Sequence, residues 1–173
     1  MPLVLGIRSP LAGLLAARKP QLGLLDESRV RMRVHATDCD INLHINNGRY
    51  LSLMDIGRTD VAARCGLKRV FRERGWHVVA AGETIRFRRE LRLWSRYTLV
   101  TRYVGWADGW CFFEQVFERG DGALAARAYV KVAVLDRDGG RIDGGDVARA
   151  LDLDPISPEL PASLEAWRAS DHG

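Results

Sequence analysis

Two short turn signals, "ADG" at 107–109 and "GDG" at 120–122, constrain this chain more than any other feature. The runs around them, 97–106, 110–119 and 123–135, are rich in β-branched and aromatic residues, so they must fold back on one another as an antiparallel meander. Upstream, residues 78–93 place Ile85, Phe87, Leu91 and Leu93 on one face, with Arg89 breaking the alternation as at a bulge. Residues 29–36, "RVRMRVHA", alternate too, with Val30, Met32 and Val34 on one side. Only from about 47 to 66 does the period become helical. There Tyr50, Leu53, Met54, Gly57, Val61 and Cys65 form a stripe, Leu51, Ile56 and Ala62 widen it, and Gly66 stands where a helix ends. The pattern predicts an α+β domain: a strand, one long helix, then a meander of about four strands.

Length and composition agree with one ordinary globular domain. The chain has 173 residues, 47% hydrophobic and 28% charged. Cys39, Cys65 and Cys111 are too scattered for a disulfide framework and show no zinc spacing, so a reducing, cytoplasmic setting is expected. Residues 1–28 are leucine-rich but broken by Pro10 and Pro20; they read as a leader or docking arm, with peripheral membrane contact the less favoured reading. The domain proper is expected over 29–136. The segment 137–173 has loop chemistry at "DRDGGRIDGG", then a short amphipathic helix expected to pack on the domain. A single helix leaves a sheet edge or face uncovered in a monomer, which predicts a homodimer or homotetramer.

The net charge of +4 hides a cluster: between 66 and 96 stand nine basic residues and three acidic ones. Such a cluster suits a phosphate-bearing or acidic partner, or is a solvated arginine face. No nucleic-acid motif accompanies it, and aromatics do not interleave with the charges, so nucleic acid is not expected.

Residues 37–50 read "TDCDINLHINNGRY". One capping residue suffices at a helix entrance, and Asn46 or Asn47 supplies it, yet Asp38, Asp40, Asn42 and His44 crowd the same approach. Asp and Asn gather before helices because they cap and turn, which is the plain reading. The chemical reading is that a helix N-terminus offers unpaired N–H groups for an oxygen that becomes negative, while a carboxylate upstream activates water or attacks. No nucleophile elbow, phosphate loop, dinucleotide fingerprint or HExxH motif competes. A metal set from Asp38, Asp40 and His44 lacks further ligands, and no metal is expected.

The string Asp38-Cys39-Asp40, His44-Ile45-Asn46-Asn47, Tyr50 resembles the signature of the hotdog-fold thioesterases, the 4-hydroxybenzoyl-CoA thioesterase-like superfamily, across roughly 29–136. The resemblance implies one long central helix wrapped by a twisted antiparallel sheet of about five to six strands. It implies hydrolysis of an acyl-CoA or acyl carrier protein thioester, with Asp40 as general base or nucleophile and the Asn47–Gly48 amides polarising the carbonyl. Asn42 and His44 match positions given catalytic roles in plant acyl-ACP thioesterases, and Glu90 resembles a further acidic member there. Tyr50, Leu53 and Met54 would flank the acyl chain; Arg86, Arg88 and Arg89 would receive phosphates or an acidic carrier. Asp38, Asn46, Asp55 and Arg58 would support. No cofactor is implied beyond the coenzyme A or phosphopantetheine of the substrate. A non-catalytic acyl-thioester or lipid-binding hotdog protein is the alternative, since fold does not fix function.

Overall fold

The computed structural model describes residue 16 and residues 18–170; the leader reading for 1–28 therefore lies mostly outside the described residues. Strand β1 (Ser28–Arg33) leads through a short 3-10 turn into helix α1 (Asn47–Arg64), and α2 (Leu67–Arg74) follows at once. Then come β2 (His77–Phe87), β3 (Arg96–Ala107), β4 (Trp110–Arg119), β5 (Leu124–Leu135), the short β6 (Arg141–Ile142), α3 (Gly144–Arg149) and α4 (Ala162–Ser170). The sheet runs β1-β3-β4-β5-β2, all antiparallel, with β6 added on β5. This is the α+β hotdog arrangement, a curled sheet around one long helix.

Both turn signals form hairpins: Ala107 pairs with Trp110 and Glu118 with Leu124. Asp108 and Gly109 take positive φ, as a two-residue hairpin turn demands. The strand expected over 78–93 ends sooner, at Phe87. Arg88 and Arg89 both donate their amide N–H to Ala125 O, at 2.7 and 3.0 Å, which exhausts the ladder and turns the chain away. Helix α2 was not expected. Its signal is Leu67, Val70 and Phe71 at helical spacing between two left-handed glycines, Gly66 (φ 86°) and Gly75 (φ 71°).

Helix α1 packs one stripe on the sheet: Tyr50, Leu53, Met54, Ile56, Gly57 and Val61 are buried as the period predicts, whereas Leu51 faces solvent. Contact is closest at Gly57, where an added Cβ would lie 2.2 Å from Thr101 Oγ1 and 2.9 Å from Gln115 Nε2. Gln115 is fully buried on β4 and answers the helix directly. Its Nε2 donates to Met54 O and to Thr101 Oγ1, both at 2.9 Å, while its Oε1 accepts from Arg58 at 2.8 Å. Three satisfied bonds make a buried amide stabilising rather than costly. Asp60, on the same helix, is also buried. Burial alone would push its carboxyl up, but hydrogen bonds from Lys19, Ser28 and Arg64 hold it below the ordinary range.

The face of the sheet away from α1 carries a second apolar cluster, Phe112, Tyr129, Leu160 and Leu164, formed as α4 and the chain before it cross β4 and β5. The sheet therefore has two covered faces, but β2 stays at an edge.

Replacing Gly57 by alanine drives a methyl group into Thr101 and Gln115. The expected loss is about 2–3 kcal/mol of unfolding free energy, read as a lowered midpoint in urea denaturation.

Candidate active site at the start of helix α1

Residues 39–45 fold into a tight loop closed by an antiparallel bridge between Cys39 and Ile45. Asp40 organises it. Its N–H donates to His44 O at 2.9 Å, its carbonyl accepts from Leu43 N at 3.1 Å, and its Oδ1 accepts from Asn42 N at 2.8 Å. Leu43 takes φ 59° to close the turn. One carboxylate oxygen of the half-buried Asp40 is thus held by the loop, and the other has no hydrogen-bond partner among the described residues.

A second loop, 88–95, lies against the first. Ile45 N donates to Leu91 O, Leu93 N donates to Leu43 O, and His44 bridges to Arg92. This pairing brings Glu90 beside His44, with Nε2 and Oε2 3.7 Å apart, an ion pair when the imidazole is protonated. The Glu90 carboxyl is held below its ordinary range chiefly by its hydrogen bond from Arg92, with His44 adding a smaller pull. Sequence spacing alone could not connect Glu90 to His44; two loops stitched by main-chain bonds do.

Asp38 does different work. It is 1% exposed and meets Arg49 of the first α1 turn at 3.0 Å, while its carbonyl accepts from Asn46 N at 2.9 Å. A cation in the first turn opposes the helix dipole, and Asp38 offsets that locally. Asn46 is the N-cap. Its Oδ1 accepts from Gly48 N at 2.9 Å and its carbonyl from Arg49 N at 2.9 Å. The Asn47–Gly48 amide pair is therefore not equally open. Gly48 N–H is already engaged, and Asn47 N–H is the first-turn amide with no acceptor among the described residues.

Tyr50, Leu53 and Met54, expected to flank an acyl chain, are packed into the core beneath α1. They are 3%, 0% and 0% exposed in the core, with Tyr50 edge-on to Phe87 and Phe117 and its phenol pushed up to about 12 by burial. An apolar cavity of about 280 Å³ opens instead along the C-terminal half of α1, between Ala62, Phe71, Val78, Cys111 and Val132, with Asp55 and Arg58 contributing its polar lining. Asp55 and Arg58 pair with each other, and Arg58 also lies 3.5 Å from Glu83 on β2. Burial raises the Glu83 carboxyl, against the pull of Arg58. Glu83 escaped the sequence reading although its signal was present, an acid on the core-facing side of an apolar strand. Arg86 and Arg88 project to the opposite face of the sheet, and Arg89 is exposed beyond the strand end. Among the described residues no group of three or more His, Cys, Asp or Glu side chains is placed to hold a metal ion, and no helix is long and apolar enough to cross a membrane.

A carboxylate loop beside the N-terminus of a sheet-wrapped helix defines a class. The sequence profile of the Thioesterase-like superfamily matches residues 34–167, and the chain belongs to that family of thioester hydrolases. Among individual relatives, Protein THEM6 of Danio rerio is 36% identical over 160 residues, covering 88% of this chain and 79% of the relative. A probable thioesterase of Escherichia coli, YbaW, superposes with a TM-score of 0.66 at 19% identity, over 72% of this chain and 96% of that one. A Staphylococcus aureus protein, SAV2348, solved in complex with CoA, does so with a TM-score of 0.60 at 14% identity, over 83% and 95%.

Removing the Asp38 carboxylate strands Arg49 against the protein. Asp38→Ala is expected to lower unfolding free energy by about 2–3 kcal/mol, measured by chemical denaturation.

Proposed function

We propose that this chain hydrolyses an acyl thioester at the mouth formed by Asp40, His44, Glu90 and the start of α1. The observation that carries this reading is the loop geometry. Asn42 N–H fixes one Asp40 oxygen, while the other oxygen and the Asn47 N–H at the start of α1 have no partner among the described residues. That arrangement suits a general base that orients water better than a nucleophile that must swing freely. Carbonyl oxygen charge would be met by Asn47 N–H and the helix dipole, with Gly48 leaving room for approach. Asn42 supports the reaction through its backbone, and His44 with Glu90 provides a proton relay toward the thiolate leaving group. The acyl chain would enter the cavity along Ala62, Phe71 and Val132 rather than the filled core at Leu53 and Met54. As carrier we infer coenzyme A, with which the Staphylococcus aureus neighbour was solved, and acyl carrier protein is the competing donor.

The edge strand supports self-association. β2 is eleven residues long, pairs with no strand on its outer side among the described residues, and exposes Val78, Val79 and Phe87. A long, apolar, unprotected edge is a template for strand pairing, and a second copy of this chain is the simplest cover. Sedimentation velocity is expected to show a dimer or tetramer, and Val79→Lys to shift it toward monomer.

Asp40→Asn tests the chemistry without dismantling the loop, because an amide oxygen still accepts from Asn42 N. Thiol release from acyl-CoAs is expected to fall by about 100-fold or more while the thermal midpoint stays put. Wild-type rates in the folded variant would remove Asp40 from the mechanism.

A further inference from the structure

Helix α4 crosses the outer face of the sheet, with Trp167 lying over Gly82 of the edge strand, and a groove of about 550 Å³ opens beside it. Arg86 of β2, Arg88 just past its end, Arg127 and Tyr129 of β5, and Trp167 of α4 line it, and among the described residues no acidic one does. The register sets Arg86 directly across from Arg127. Like charges directly opposed on neighbouring strands destabilise a sheet, so this pair costs the fold something. Nearby carboxylates do little to relieve it. Arg86 and Arg88 have no ion-pair partner among the described residues. The Arg127 Nε lies 3.5 Å from Glu114 Oε1, but Glu114 also serves Arg102.

A purely solvated arginine face would spread its charges over convex surface. Here three arginines line one concavity together with an indole, within the size range of small-ligand sites. Guanidinium forks match phosphate oxygens, and an indole face matches a planar base. An acidic carrier protein would ask instead for an open, flat basic patch.

We propose that this groove binds the phosphorylated nucleotide end of a coenzyme A thioester, with Arg86, Arg88 and Arg127 on the phosphates and Trp167 against the base. The assignment rests on the thioester reading above for its acyl half alone. It makes α4 a specificity element, selecting coenzyme A over carrier-protein substrates.

The test uses the full chain and two readouts. Adenosine 3′,5′-bisphosphate is titrated calorimetrically into wild type and Arg86→Ala/Arg88→Ala, and kcat/KM is compared for an acyl-CoA and the matching N-acetylcysteamine thioester, which lacks the nucleotide. Wild type is expected to bind the bisphosphate, more weakly as salt rises. The double variant is expected to lose about 100-fold in that affinity and at least about tenfold in its preference for the CoA thioester. Its thermal midpoint should hold or rise, because like-charge opposition is relieved. Absence of bisphosphate binding in wild type, or unchanged binding in the double variant, overturns the groove. Bisphosphate binding with no change in CoA preference overturns the coenzyme assignment and marks a free-nucleotide site. If the bisphosphate result holds while wild type hydrolyses no thioester, the groove stands and the hydrolase reading falls.

Discussion

The geometry of this protein depends on how closely helix α1 sits on its sheet. Gly57 removes the side chain that would hold the two apart, and Gln115 fills the remaining polar need by bonding Met54 O, Thr101 and Arg58 at once. An apolar contact alone would let the helix slide or roll. A buried amide whose bonds are all satisfied has few equivalent positions, so the helix is fixed along and about its axis. Its N-terminal end is then held against the loops at 39–45 and 88–95, which carry Asp40, His44 and Glu90.

At that end, the surplus of polar residues divides into separate tasks. Asp38 is a buried anchor for Arg49, Asn46 is the cap, and Asp40 shapes its loop while keeping an oxygen free. The cap matters chemically as well as structurally. By taking Gly48 N–H it leaves Asn47 N–H, at the positive end of the helix dipole, as a first-turn donor with no acceptor among the described residues.

The sheet separates two environments. Its inner face, under α1, is apolar and holds the cavity at Val78, Cys111 and Val132; its outer face, under α4, carries the arginine groove. β2 borders both, and its outer edge pairs with no other strand among the described residues, so one strand connects the apolar cavity, the basic groove and that edge.

Much of this was legible in the sequence because it is local. Turn residues at 107–109 and 120–122 dictate hairpins, a 3.6-residue stripe dictates α1, and the Asn46-Asn47 pair marks where it starts, with Asn46 the cap. Local patterns also misled where two elements compete. Leu91 and Leu93 continue the alternation of β2, yet Ala125 O accepts both Arg88 and Arg89 and ends the ladder. Tyr50, Leu53 and Met54 looked equally suited to a substrate slot or a core, and only the packed sheet decided for the core. Glu90 meets His44, Glu83 meets Arg58 and Arg86 faces Arg127 through strand register and loop pairing, which no spacing along the chain encodes. Sequence alone therefore determined the elements and the polar helix entrance, since backbone preference and periodicity act over a few residues. Tertiary structure decided which side chains meet and which face holds each cavity, because those depend on long-range burial and register.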